Sequence, residues 1–225
     1  MVTENLTAVW GRIAEAAAVA GRDPAGITLV AVSKGQPIER ILEAYAAGQR
    51  HFGENRAAEL AAKAPLLPGD IDWHFIGSLQ TRQAKIARPY TSLLHSLDRM
   101  RLVNVWSAAE PKVPALLQVN VAAEPQKHGA DPGEVEELLR HATDRGIPCV
   151  GLMTMAPLDE DPEGSRRWFA ELRQLRDQML GAYPALAELS MGMTDDYAVA
   201  IEEGATIIRV GRAIFGPPGD PALSN

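Results

Sequence analysis

Residues 27–37 read ITLVAVSKGQP. Ile27 to Val32 is an unbroken apolar run rich in β-branched side chains, the pattern of a strand buried on both faces of a parallel sheet. The run stops at Ser33-Lys34-Gly35. Pro37 then sits where a helix tolerates proline, and Ile38, Ile41, Leu42 and Tyr45 mark one helix face that Gly48 closes. Residues 27–48 therefore predict one strand–loop–helix unit. Upstream, Leu6, Val9, Trp10, Ile13 and Ala17 recur at helical spacing between Thr3 and Ala20, with Gly21 as the stop, so an amphipathic helix precedes the first strand.

Downstream the unit repeats without sequence identity. His51-Phe52-Gly53 precedes a helix from Arg56 to Lys63, Trp73 to Gly77 one from Gln80 to Arg88, and Leu93 to Leu97 one from Met100 to Ala109. Pro114 to Val121 is followed by a helix opening at Asp131-Pro132, where Glu134 is placed to complete a capping box. Val150 to Met153 leads to a long helix striped by Trp168, Leu172, Leu175 and Met179. Leu189-Ser190-Met191 and Thr206 to Val210 are the last strands, separated by a short helix that Thr194 can cap. Eight such units predict a single-domain (β/α)8 TIM barrel over residues 1–225 with an extra N-terminal helix. A doubly wound sheet would put a glycine-rich phosphate loop after its first strand, and SKGQP is not one.

The composition is that of a globular domain, 46% hydrophobic and 23% charged over 225 residues. A net charge of -7 argues against a phosphate-backbone contact surface and hence against nucleic acid. Cys149 is the one cysteine. Flanked by Pro148 and Val150, it reads as a small buried side chain at a strand entrance, in a reducing, cytoplasmic setting. Glu4, Arg12 and Glu15 interrupt the N-terminal apolar residues, so neither a signal peptide nor a membrane span is expected.

Chemistry concentrates at the expected C-terminal mouth of the barrel, where active sites of this fold collect. Lys34 is carried there by the first strand. Partial desolvation in a barrel mouth would favour its neutral, nucleophilic amine, although lysines also follow strands merely to return charge to solvent. SMGMTDD (Ser190 to Asp196) and RVGRAIFG (Arg209 to Gly216) follow strands seven and eight, the two loops that most often form barrel phosphate sites. Gly192 and Gly211 allow backbone N–H groups to approach an anion, and Ser190 and Thr194 offer hydroxyls. Arg209, on an otherwise apolar strand, points at something anionic or electron-rich in the mouth.

Asn55 and His74 each follow a strand and could reach the same mouth, though a structurally satisfied imidazole accounts for His74 as well. The remaining histidines, His51, His95, His128 and His141, share no metal-ligand spacing, so no metal is expected. Met153, Met155, Met191 and Met193 collect near strand ends, where they line a flat ligand or fill core gaps. Trp10, Trp73, Trp106 and Trp168 read as packing residues. Asp195 and Asp196 suit the dipole of a first helical turn rather than acid–base work.

Taken together, VAVSKGQP, HFGEN, WHFIGSLQ, HSLDR, QVNVAAEPQKHG, GLMTM, LSMGMTDD and IIRVGRAIFG resemble the YggS/PROSC family of pyridoxal phosphate homeostasis proteins, in the family's order and across nearly the whole chain. The resemblance implies a fold-type-III barrel like the N-terminal domain of alanine racemases, with pyridoxal 5′-phosphate held as a Schiff base on Lys34. It places Arg209 against the pyridine nitrogen and the phosphate on Ser190 and backbone N–H groups of the RVGRAIFG turn, Gly211 among them; Met191 and Gly192 beside Ser190 are expected to contact the cofactor too. Arg212 stands where the family commonly has threonine, removing a hydroxyl donor. Gly35 and Gln36 replace the threonine and lysine frequent after the SK pair, which makes the surroundings of Lys34 less basic.

The implied role is storage or delivery of the cofactor in vitamin B6 homeostasis, by a monomer or weak dimer whose partners include cofactor-requiring apo-enzymes. An amino-acid racemase or decarboxylase is the rival reading, since lysine-bound pyridoxal is a competent electron sink. Fold-type-III racemases carry an additional β-domain, and only Pro217 to Asn225 follow the last motif here, so no catalytic turnover is expected. A lysine-dependent aldolase using the same phosphate site is the third class.

Overall fold

The structure is a computed structural model that describes residues 1–124, 126–157 and 159–217. The predicted alternation is present as eight strands closed into a parallel barrel in chain order. The strands are β1 (Thr28–Val32), β2 (His51–Glu54), β3 (Asp72–Phe75), β4 (Leu93–Leu97), β5 (Ala115–Gln118), β6 (Cys149–Met153), β7 (Glu188–Ser190) and β8 (Ile207–Val210). The barrel closes where β1 pairs with β8, Thr28 to Ala31 lying opposite Ile207 to Val210.

Nine α-helices are described: α1 (Val2–Val19), α2 (Ile38–Ala46), α3 (Ala57–Lys63), α4 (Ala84–Ala87), α5 (Met100–Trp106), α6 (Val135–Asp144), α7 (Arg166–Met179), α8 (Tyr197–Glu202) and α9 (Arg212–Phe215). The extra helix α1 buries Leu6, Val9, Ile13 and Ala17 against α8, α9 and α2. Trp10 does not join that face. It is an exposed side chain, because its position lies one residue past the buried stripe. The other three tryptophans pack, Trp106 most completely, with its indole N–H donating to Val113 O.

The core divides in two. Between barrel and helices lies the large cluster that includes Phe52, Phe75, Trp106, Phe169 and Phe215. Each such ring contributes about 1.5–3 kcal/mol by leaving water. Inside the barrel the apolar cluster is small, Val30, Leu116, Met153 and Ile207, and the rest of the interior is polar. Gly53 lets β2 pass β1 here, since a Cβ at that position would lie 2.9 Å from Val30 Cγ1.

Local details depart from the sequence reading where proline or a side chain finds a better partner. The helix expected over Gln80–Arg88 is a short α4 flanked by 3₁₀ turns at Thr81–Gln83 and Arg88–Tyr90, with Pro89 in the second. No capping box forms at Glu134: Asp131 caps a 3₁₀ turn by accepting from Gly133 N–H, and α6 starts after it. Thr194 does not cap α8. Asp196 is its N-cap residue, and the Asp196 carboxylate accepts from the Met193 N–H and the Ser165 hydroxyl. Cys149 begins β6 as a buried thiol whose pKa burial pushes up to about 12.

Candidate functional site

Lys34 has the same strand parity as Val30, which faces the barrel interior, but it stands two residues beyond the end of β1. It lies in a turn where Gly35 adopts φ 66°, and there its side chain is exposed rather than desolvated. Behind the turn is an ionic cluster the sequence reading did not foresee. Lys63 Nζ donates to Ser33 O (2.8 Å), Glu54 Oε1 (2.8 Å) and Glu59 Oε1 (2.6 Å). Ser33 Oγ donates to Glu54 Oε1 at 2.7 Å, and Gly35 N–H to Glu59 Oε1 at 2.6 Å.

The polar groups on either side of Lys34 are thus pinned by three charged side chains, all committed to one another rather than to its ammonium. Glu54 is fully buried, and burial is the largest influence on its carboxyl, raising its pKa against the pull of Lys63. Glu59 and Lys63 meet at i,i+4 on α3, the geometry a helix provides for an ion pair.

The opposite wall, from β7 and β8, is built differently. Arg209 is 4% exposed and donates to Ser190 O (3.0 Å), Ser190 Oγ (2.6 Å) and Thr154 O (2.8 Å). Burial pulls its pKa down to about 10, which still leaves the guanidinium charged at neutral pH. Ser190 ends β7, and its hydroxyl is engaged by Arg209 and by His95 Nδ1 at 2.9 Å.

Met191 is fully buried in the outer core and its N–H donates to Ile207 O at 3.1 Å, so it brings no donor to this site. Gly192 adopts φ 90°, and a Cβ there would sit 2.6 Å from Ala200 Cβ and 2.9 Å from Tyr197 Cα. At Gly211 a Cβ would press on Val32 at 3.3 Å, which ties the start of α9 to the end of β1. The first N–H groups of α9 with helical partners are those of Ile214 and Phe215, both on Gly211 O, leaving those of Arg212 and Ala213 outside the helical ladder. The Arg212 side chain turns to Asp195 in an exposed 2.9 Å pair.

His74 lies inside the barrel as the middle of a column. His51 Nδ1 is 3.1 Å from His74 Nε2, His74 Nδ1 is 2.8 Å from His95 Nε2, and His95 continues to Ser190. Burial holds His74 down to about 3 and His95 well below its ordinary value, with neighbouring His51, His74 and Arg209 adding to the effect. Asn55 follows β2 with a buried Oδ1 that has no partner among the described residues. Its backbone is clamped by Gly77, where a Cβ would lie 2.3 Å from Asn55 O.

Six residues that matter here escaped the sequence reading: His51, His95, Glu54, Glu59, Lys63 and Thr154. The histidines did carry a signal. Positions 51, 74 and 95 are separated by about one strand–helix unit each, the spacing that stacks side chains on adjacent barrel strands rather than around a metal.

No family model matches the chain. A pyridoxal phosphate homeostasis protein of Aquifex aeolicus is 41% identical over 220 residues, covering 95% of this chain and 96% of that one. The chain belongs to the pyridoxal phosphate homeostasis protein family. A solved structure of PipY from Synechococcus elongatus with PLP bound superposes with a TM-score of 0.80 at 35% identity, over 96% of this chain and 100% of PipY. A Bifidobacterium adolescentis protein described as unknown gives a TM-score of 0.90 at 35% identity, over 95% and 94% of the two chains. A lysine/ornithine decarboxylase of Vibrio vulnificus shares only the fold, at 16% identity and a TM-score of 0.70, over 96% of this chain and 62% of its own. Among the described residues no helix is long and apolar enough to cross a membrane.

Proposed function

We propose that this homeostasis-family chain binds pyridoxal 5′-phosphate in the mouth between β1–β2 and β7–β8, covalently through Lys34, and holds it for storage or delivery without turning over amino acids. The observation that carries the reading is the end-to-end likeness to PipY, whose structure contains PLP. The residues present suit the group. Asn55 presents a buried oxygen with no partner among the described residues, and Gly192 and Gly211 keep the backbone of the β7 and β8 loops free of side chains. A fixed guanidinium stands ready for a ring nitrogen at Arg209.

When bound, the cofactor supplies an aldehyde for an amine and a conjugated ring able to draw electrons. Lys34 provides the amine. Ser33 and Gly35, braced by Glu54, Glu59 and Lys63, keep the Lys34 backbone in place. Because the Ser190 hydroxyl already serves Arg209 and His95, phosphate recognition falls mainly to backbone N–H groups of the Gly192 and Gly211–Ala213 turns. Arg212, paired with Asp195, stays a bystander.

Arg209 also argues for holding over turnover, since a permanent cation against the pyridine nitrogen disfavours its protonation and weakens the electron sink. A cytoplasmic protein that acts as a monomer or weak dimer and passes cofactor to apo-enzymes completes the reading. The test is borohydride reduction of cofactor-loaded protein followed by peptide mapping. The pyridoxyl group is expected on Lys34 and absent from Lys34→Ala, with negligible racemisation or decarboxylation of free amino acids. An adduct on Lys63, Lys85, Lys112 or Lys127, or robust turnover abolished by Lys34→Ala, would overturn the proposal.

A further inference from the structure

The interior column joins the two ends of the barrel. His51 is the first residue of β2, at the foot, and its side chain is 41% exposed, while Ser190 is the last residue of β7, toward the mouth. Between them His74 and His95 use both ring nitrogens within the column. A neutral imidazole carries one N–H and one lone pair, so the tautomer of each ring dictates that of the next.

Two arrangements leave nothing unpaired. In the first, Ser190 O–H donates to His95 Nδ1, His95 Nε2–H to His74 Nδ1, and His74 Nε2–H to His51 Nδ1. In the second every donation reverses: His51 Nδ1–H points up the column and His95 Nδ1–H ends on Ser190 Oγ. Arg209 donates to Ser190 Oγ in both. In the second arrangement the hydroxyl accepts from both neighbours, and its own proton is released from the column. A mixed state sets two lone pairs or two N–H groups face to face in a dry interior, which is costly.

We infer that the column couples protonation of His51 at the foot of the barrel to the direction of the Ser190 hydroxyl at the mouth. An imidazolium at His51 must donate from Nδ1 and so enforces the second arrangement; neutral His51 admits the first. Buried His74 and His95 stay neutral, so the column answers by exchanging tautomers rather than by taking up charge. The charged groups that face it lie at its ends. Asp72 of β3 is 3.8 Å from His51 Nδ1, and Glu188 of β7 is held by Thr206 Oγ1. Arg209 of β8 stands at the head, with Asp196 acting on it. From β1, β5 and β6 the interior receives Val30, Leu116 and Met153. For cofactor binding, which rests on the proposed use of the mouth, His51, His74 and His95 are positioning residues, because they set whether Ser190 can donate to a ligand.

The test is made on the full chain without cofactor, so that it fails or succeeds independently of the mouth assignment. Side-chain ¹⁵N shifts of His74 and His95 distinguish the tautomers and are followed from pH 8 to pH 5, the range in which histidines ordinarily titrate. The Nε2–H form is expected at high pH. On acidification the Nδ1–H form should grow in both residues with the midpoint of His51, changing the ratio at least about fivefold, the lower end of ordinary coupling between sites. His51→Gln should abolish the exchange. Tautomers of His74 and His95 that ignore the His51 titration, or an exchange that survives His51→Gln, would overturn the inference.

Discussion

The two walls of the mouth hold their functional groups by opposite means. On the β1–β2 side, Glu54, Glu59 and Lys63 fix the Lys34 turn through ionic hydrogen bonds, three of them to one loop. On the β7–β8 side the loops are held by shape: Gly192 packs where a side chain does not fit, Gly211 lies close against Val32, and Arg209 is committed chiefly to carbonyl oxygens. The first wall depends on protonation, the second on volume. If the mouth is used as proposed, the wall that presents the Lys34 amine tolerates electrostatic tuning, whereas the one that would offer backbone N–H groups to an anion needs fixed geometry.

Substitution can break this contrast. The largest effect is expected for Lys63→Met, which leaves two carboxylates behind Lys34 without their cation and should cost about 3–5 kcal/mol of stability at neutral pH. The pH dependence has a defined sign. Burial already raises Glu54, so its folded form favours the proton. Stability from that proton is fully present below the ordinary carboxylate range and is lost as pH rises through the raised value. The variant's deficit should therefore shrink on acidification, as read by urea unfolding at several pH values; an equal deficit throughout would remove the electrostatic account.

Gly192→Ala should cost about 2–4 kcal/mol from a left-handed backbone and the contact with Ala200, and the same at each pH. A deficit that follows pH would erase the distinction between the walls. Arg212→Ala should change stability by no more than about 0.5 kcal/mol, because its pair with Asp195 is solvent-exposed, and should leave cofactor affinity nearly unchanged. Weakened retention would show that the guanidinium reaches the phosphate.

The fold was legible because several strands, β1 above all, are short apolar runs and the longer helices are stripes, signals that need no knowledge of neighbours. Even so, Trp10 looked like a member of the α1 stripe and is exposed, and Thr194 and Glu134 yielded their expected caps to Asp196 and Asp131. One residue of rotation, or one competing carboxylate, decides such details. The prominent residues of the mouth, Lys34, Gly192, Arg209 and Gly211, could be found because each breaks the pattern around it. Their supports could not: Lys63 reads as an ordinary helix lysine until α3 folds it beneath β1, and His51, His74 and His95 become one feature only when three strands lie side by side.

Cys149 gives the molecule a built-in clock. With its thiol buried at the start of β6 and its pKa near 12, it offers almost no thiolate to a reagent while the barrel is closed. Alkylation must wait for β6 to leave its neighbours β5 and β7, so the rate at which the single thiol is modified reads out how often this closed ring of strands breathes open.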